Sequence, residues 1–140
     1  MNQRILYLLL ALAIFLSGGC KKFIQQQEEK AVIAAVTDGF WYVSQYLQND
    51  SDITASFSGY RFKFDANGIV TGTKDSISLK GVWTADIPSR VIVSNFPTAG
   101  APLIYLNATW KITDSYTNLV KANSTDTVNK TANILQLQKE

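Results

Sequence analysis

The chain has 140 residues, carries 13 lysine or arginine residues against 11 aspartate or glutamate residues, and contains no histidine. A formal net charge of +2 is too small to attract nucleic acid, so we expect no nucleic-acid partner. Without histidine the chain lacks the commonest general base and the commonest metal ligand, so we expect no enzymatic activity, no cofactor and no metal site.

The chain opens with a charged start followed by an apolar run. Arg4 precedes an unbroken apolar stretch at residues 5–16, and Ser17, two glycines and Cys20 follow it. The run is shorter than the ~20 residues that a membrane-spanning helix needs, and its layout is that of a secretory signal peptide. Cys20 is the only cysteine, so the fold contains no internal disulfide. The alternative interpretation of Cys20 is a stray thiol behind an ordinary signal peptide.

The segment Leu16-Ser17-Gly18-Gly19-Cys20 resembles the lipobox of bacterial lipoproteins, with Ser17 where leucine is usual. The resemblance implies that residues 1–19 are removed as a signal peptide and that Cys20 is lipid-modified. The mature chain would then have 121 residues, and its two or more acyl chains would anchor it stably to a membrane. Lysines follow the cysteine, where an aspartate retains some lipoproteins in the inner membrane. We therefore expect an outer-membrane, monomeric protein of the bacterial envelope.

Residues 20–38 are predicted to hold the lipidated cysteine, a tether at 21–27 and a short helix at 28–36. Val32, Ile33 and Val36 recur at helical spacing, and two glutamates suit the start of the helix. A solvated linker is the alternative for this stretch.

From residue 39 onward the pattern alternates between strands and turns. Tyr60, Phe62 and Phe64 alternate with two cations, so three rings share one face of a strand. Asn67-Gly68 indicates a tight turn. A helical turn is predicted at 103–106, a turn at 114–115 and a polar loop at 123–129. Strands are predicted at 40–47, 60–64, 69–74, 77–84, 90–96, 108–113, 116–122 and 131–139.

Short links between successive strands imply antiparallel neighbours, and a meander of this size removes its exposed edges by closing on itself. The sequence therefore predicts an all-β fold. Residues 39–140 would form one domain, an eight-stranded antiparallel up-and-down barrel preceded by a short N-terminal helix.

Several motifs of this region resemble those of lipocalins. Gly39-Phe40-Trp41 resembles the Gly-x-Trp motif at the start of the first lipocalin strand. The segment 57–68, the later Gly81-Val82-Trp83 and the Leu-Asn-x-x-Trp core of 103–111 are similar to lipocalin-like domains of exported bacterial lipoproteins. The resemblance covers residues 39–137 and implies a lipocalin-like barrel that binds a small apolar ligand. Lipocalins also pack an arginine of the last strand on the first tryptophan, whereas this chain has only Lys130 and Lys139 there, and it lacks the third lipocalin motif.

An eight-stranded barrel either fills its interior with side chains or holds one small ligand. The alternative to a ligand is a core of rings, because each aromatic side chain buries a large area. Two hypotheses result: a membrane-anchored binder of a small hydrophobic ligand, and a non-enzymatic envelope module with a filled barrel that acts through loops at 98–102 and 123–129. The candidate ligand-binding residues are the rings expected to face the interior: Trp41, Tyr60, Phe62, Phe64, Trp83 and Trp110.

The carboxylates offer little catalytic chemistry. Aspartates in turns usually cap their own backbone, so we interpret them as structural. A glycosidase-type pair is the enzymatic alternative. The aspartates in predicted turns are Asp50, Asp52, Asp65, Asp75, Asp86, Asp114 and Asp126.

Overall fold

The computed structural model describes residues 19–126 and 130–140. The predicted signal peptide therefore lies outside the described residues, except for Gly19. One helix, α1 (Gly19–Thr37), precedes the strands, and two short 3₁₀ turns span Thr54–Phe57 and Leu103–Leu106. The strands are β1 (Trp41–Gln48), β2 (Ser51–Asp52), β3 (Arg61–Phe64), β4 (Ile69–Lys74), β5 (Ile77–Asp86), β6 (Val91–Asn95), β7 (Ala108–Tyr116), β8 (Leu119–Asp126) and β9 (Thr131–Lys139).

Helix α1 contains the predicted helix at 28–36 and also the stretch at 21–27 that the sequence indicated as a tether. Lysine, glutamine and glutamate favour helix, so this stretch continues the helical backbone. The helix ends before Gly39, which has a φ of +74°. The boundary between two compact units of the chain falls inside α1, after Ile33, and residues 34–140 form the second unit. In the described part of the chain, no helix is long and apolar enough to cross a bilayer.

The strands form one closed antiparallel sheet. Neighbours along the chain pair from β3 through to β9, and β9 pairs with β1 over seven residue pairs. Between β1 and β3 a single pair, Trp41 with Phe62, joins the wall. Strand β2 has only two residues and pairs with the end of β1, so the wall consists of eight strands. The predicted eight-stranded antiparallel barrel with a short N-terminal helix is confirmed.

The turn predicted at 114–115 is wrong. Strand β7 continues to Tyr116, with a register shift between Ile112 and Asp114, and the chain turns at 117–118. A bulge of this kind accommodates an extra residue without ending the strand, so Asp114 and Ser115 remain in the ladder. The loop predicted at 123–129 is also shorter than expected, because β8 extends to Asp126. Residues 127–129 of that loop lie outside the described residues.

The connections divide between two ends of the barrel. At the helix end lie the turns at 65–68, 87–90 and 117–118, and residues 34–37 adjoin Trp41 there. At the loop end lie the segment 49–60, the turn at 75–76, the loop 96–107, the last residues of β8 and the first residues of β9. Aromatic and aliphatic side chains from all around the wall fill the space between the two ends.

Candidate functional site

Most of the rings that the sequence singled out lie inside the barrel. Trp41, Phe62, Phe64, Trp83 and Trp110 are buried, and Tyr60 is half-buried. Phe64 meets Trp83 edge to face with 5.4 Å between ring centroids, and Tyr60 stacks on Phe62 at 6.1 Å. Contacts of this kind are typical of an aromatic core.

Each indole N–H donates to a main-chain carbonyl oxygen. Trp41 Nε1 donates to Val36 O at 2.9 Å, Trp83 Nε1 to Asp65 O at 3.0 Å and Trp110 Nε1 to Leu106 O at 3.1 Å. These bonds satisfy the only polar atoms of the three tryptophans and fix the rings in the wall. The tryptophans therefore present only apolar surface to the interior.

The space left between the rings is small. A cavity of about 60 Å³ lies in the interior. By comparison, an engineered apolar cavity of ~150 Å³ holds one benzene molecule. Trp41, Phe62, Phe64 and Trp110 line the interior cavity, together with aliphatic residues, whereas Tyr60 and Trp83 do not. The barrel in this conformation is essentially filled by side chains.

The helix end of the barrel is sealed by lysines that bind the end of α1. Lys139 Nζ donates to Ala35 O at 2.9 Å, and Lys63 Nζ donates to Thr37 O. Cations at the carboxyl end of a helix are stabilised by its dipole. Lys139 Nζ also lies 5.1 Å from the centroid of the Trp41 ring, within the range of a cation–π contact.

The loop end is closed by the Leu103–Leu106 turn. Leu103 and Leu106 are buried, whereas Ile104 is 48% exposed and Tyr105 is 36% exposed. Ser94 Oγ donates to Leu106 O at 2.5 Å. The turn therefore holds two apolar side chains in the core and presents two others to solvent.

A second, larger space opens beside this turn. It has a volume of about 700 Å³, within the range of ligand pockets. Hydrogen bonds hold residues on its wall in place. Asn107 Oδ1 accepts from Phe96 N, and Asn107 Nδ2 donates to Phe96 O. Tyr46 Oη donates to Tyr105 O at 2.7 Å. We call this space the groove. It is lined by Tyr46, Gln48, Ile104, Tyr105, Asn107, Ala108, Thr109, Ser124, Thr125, Thr131 and Asn133.

Three buried polar side chains line the groove: Tyr46, Ser124 and Asn133. Burial, together with neighbouring Tyr105, raises the pKa of Tyr46 to about 12, so this phenol stays protonated. Asn133 is 7% exposed and its Nδ2 donates to Ser124 Oγ at 3.2 Å. Its Oδ1 is buried and accepts no hydrogen bond from any described residue. No sequence pattern indicated this site, because Asn133 lies in an ordinary alternating strand.

Two of the aspartates accept hydrogen bonds from residues that follow them, although they lie at strand ends, Asp52 in β2 and Asp86 in β5, instead of in turns. Asp52 Oδ1 accepts from Thr54 N at 2.9 Å, and Asp86 accepts from both the N–H and the hydroxyl of Ser89. These hydrogen bonds hold the pKa of Asp52 and of Asp86 below the ordinary value. Asp114 lies in β7 instead of a turn. Within residues 19–126 and 130–140, no three histidine, cysteine, aspartate or glutamate side chains form a group that could hold a metal.

Comparison with known proteins shows the fold. No family model matches the chain, and no curated protein matches its sequence. The chain is similar to the crystal structure of a DUF4847 family protein from Bacteroides vulgatus ATCC 8482, at a TM-score of 0.54 and 17% sequence identity. The match covers 78% of this chain and 97% of that one. At this identity the likeness concerns the barrel fold alone.

Proposed function

We propose that the protein is a lipid-anchored, non-enzymatic binding module of the bacterial envelope, and that it binds its partner at the loop end of a filled barrel. One observation supports this choice above the others: the interior cavity measures about 60 Å³, whereas the groove measures about 700 Å³. A binding site needs room for its ligand, and the groove provides it without rearrangement of the core, whereas the interior cavity does not.

The anchor is proposed from the sequence. A signal peptide that ends in small residues before the only cysteine favours lipidation of Cys20 and a position in the outer membrane. The Cys20→Ser variant is expected to move the protein from the membrane fraction to the soluble fraction of the cell envelope. Metabolic labelling with an alkyne-tagged palmitate should label the parent chain and leave the variant unlabelled. Membrane association that persists without the cysteine would contradict the anchor.

Binding of a small apolar ligand inside the barrel is the second candidate. Its support is that the lining of the interior cavity is aromatic and aliphatic apart from Ser94. A ligand of lipid size would have to expand this cavity several-fold, and displacing close-packed core side chains costs free energy.

Tryptophan fluorescence distinguishes the two candidates, because all three tryptophans are buried in the barrel. Titration with palmitate or with 1-anilinonaphthalene-8-sulfonate should produce no saturable change in tryptophan emission if binding occurs at the loop end. A saturable change with one-to-one stoichiometry would instead support the interior site. The Trp110→Phe variant, which removes one ring from the lining of the interior cavity, would then weaken or enlarge that change.

A further inference from the structure

The barrel wall has an opening between β1 and β3 and another between β7 and β8. Residues 51–57 of the chain fill the first. Strands β1 and β3 pair only at Trp41 and Phe62, so β3 supplies no partner for the second half of β1. Residues 51–57 lie there instead. Ile53 N donates to Tyr46 O at 3.0 Å, and Tyr46 N donates to Thr54 Oγ1 at 2.8 Å. An irregular segment of chain thus supplies the hydrogen bonds that a neighbouring strand would have made.

Phe57 completes this arrangement. Its ring is buried and stacks on the Tyr46 ring with 5.2 Å between centroids. The filling segment therefore satisfies both requirements of the opening: main-chain partners for the strand edge, and an apolar side chain for the barrel interior.

The second opening lies between β7 and β8. Pairing of these strands begins at Lys111 with Asn123. Toward the loop end the two strands no longer pair with each other. Residues 108–110 pair with Ile92 to Ser94 of β6, and residues 124–126 pair with β9. We call the space between these two edges the β7–β8 gap. Thr109 and Thr125, one on each edge, both line the groove, so the groove occupies the gap.

The two edges of the gap carry unused hydrogen-bonding capacity. In an antiparallel sheet, each strand directs alternate pairs of N–H and C=O groups to the neighbour on either side. On the gap side of 108–110 and of 124–126, no described segment supplies the partner groups. Edges of this kind are templates for the addition of another strand.

The side chains around the gap favour a neutral occupant. Every described residue that lines the groove is uncharged, so an ionic ligand would lose its hydration without gaining a counter-charge from them. Beneath the gap, the Asn133 Oδ1 acceptor has no partner among the described residues, and a donor from an occupant would satisfy it. Above it, Tyr105 is partly exposed and offers a ring surface for an apolar side chain.

We propose that the β7–β8 gap receives an extended, uncharged polypeptide segment of a partner protein as an added strand, as residues 51–57 fill the opening between β1 and β3. Unpaired main-chain N–H and C=O groups on two facing strand edges can pair with a peptide backbone, which is the recognition mode of strand addition. This proposal rests on the proposed function and specifies the partner that the loop end binds.

The test uses a phage-displayed library of random heptapeptides, panned on the purified protein and counter-selected on a Thr125→Arg variant. Thr125 is exposed, so the larger cation alters the gap without entering the core. Thr84→Arg is the matched control, because Thr84 is an exposed strand residue of β5, away from the gap. Near-ultraviolet circular dichroism checks that both variants keep the parent fold.

Selected peptides are resynthesised, and their dissociation constants are measured by isothermal titration calorimetry. Thr125→Arg is expected to weaken binding about tenfold or more, because the larger, charged side chain obstructs the gap. N-methylation of the peptide at alternate amides should have an effect of similar size, because it removes one or two main-chain hydrogen bonds. Thr84→Arg should change the dissociation constant less than about twofold. Amide NMR signals of 108–110 and 124–126 should shift on binding and gain protection from hydrogen exchange.

Three results would overturn the proposal: no peptide enriched over the Thr125→Arg counter-selection, equal affinity of the N-methylated peptides, or NMR shifts confined to residues outside the gap. Parallel titration with maltoheptaose separates this inference from the proposed function. Amide shifts at the gap caused by the saccharide and not by any peptide would exclude strand addition and leave a binding site at the loop end. If neither ligand produced shifts at that end, the result would count against both.

Discussion

Replacing Gly81 with alanine is expected to destabilise the barrel, because a side-chain carbon at this position has no room. An added Cβ would lie 2.6 Å from the carbonyl oxygen of Asn95 and 2.9 Å from the ring of Phe96. Overpacking of this kind costs about 1–3 kcal/mol. The reduced freedom of the unfolded chain offsets about 0.4–1 kcal/mol of that cost. We therefore expect the free energy of unfolding to fall by about 1–2 kcal/mol.

Gly39, in the other Gly-x-Trp motif, provides a control with a different physical origin. An added Cβ there would meet only the aliphatic part of Lys139, at 3.6 Å, but the backbone has a φ of +74°. Alanine at this φ costs about 1–2 kcal/mol. Asparagine adopts positive φ more readily, so Gly39→Asn should be more stable than Gly39→Ala. At Gly81 the larger asparagine should be less stable than alanine.

Urea denaturation followed by tryptophan fluorescence measures all four variants. With an m-value of about 1–3 kcal/mol/M, a loss of this size lowers the urea midpoint by about 0.5–1 M. The reasoning fails if Gly81→Ala is as stable as the parent chain. It also fails if asparagine restores stability at position 81 as it does at position 39, because that would place the cause in the backbone instead of the packing.

Three further predictions concern polar contacts. Tyr46→Phe loses a buried hydrogen bond and should be less stable by about 0.5–1.5 kcal/mol. The pKa of Tyr46 in the folded chain, about 12, exceeds the ordinary 10.0, so the parent should lose stability as the pH rises from 10.0 to 12. Urea titrations across that range should show this loss in the parent and not in the variant. Lys139→Met, which removes the bond to the end of α1, should lower the free energy of unfolding by about 1–2 kcal/mol, whereas the exposed Lys130→Met should change it by less than about 0.5 kcal/mol. Equal effects in urea denaturation would contradict the sealing role. Asp86, whose pKa is lowered by bonds from Ser89, should stabilise the parent above pH 3.8 and progressively less as the pH falls below it, and Asp86→Asn should flatten that part of the acid-unfolding curve.

Local pattern predicted the wall of the barrel well. The alternation of rings and cations around Phe62 placed three rings inward, and the Asn-Gly turn and the 3₁₀ turn at Leu103–Leu106 lie where the sequence indicated. These features depend on side-chain period and on turn chemistry, both of which act within a few residues. The error at Asp114 has a related cause: aspartate and serine favour turns, but pairing of β7 with β8 carried the strand through a bulge.

The candidate site was only half predictable. The sequence identified rings that face inward, and four of them line the interior cavity, yet no pattern of residues states how much volume remains between them. The groove was not predicted at all. It depends on where the pairing of β7 with β8 stops. It also depends on Tyr46 and Asn133, which lie far apart in the chain, lining the same groove.

The sequence by itself determined the strand order, the antiparallel links and the inward rings, because period-two hydrophobicity and short turns act locally. It also carries the whole case for a lipid anchor at Cys20. Only the tertiary structure decided that the interior is filled, that a side-chain carbon at position 81 would meet a neighbouring carbonyl, and that residues 51–57 fill one opening in the wall while no described residue fills the other. These outcomes depend on strand register and close packing, which join residues distant in sequence and leave no local signature.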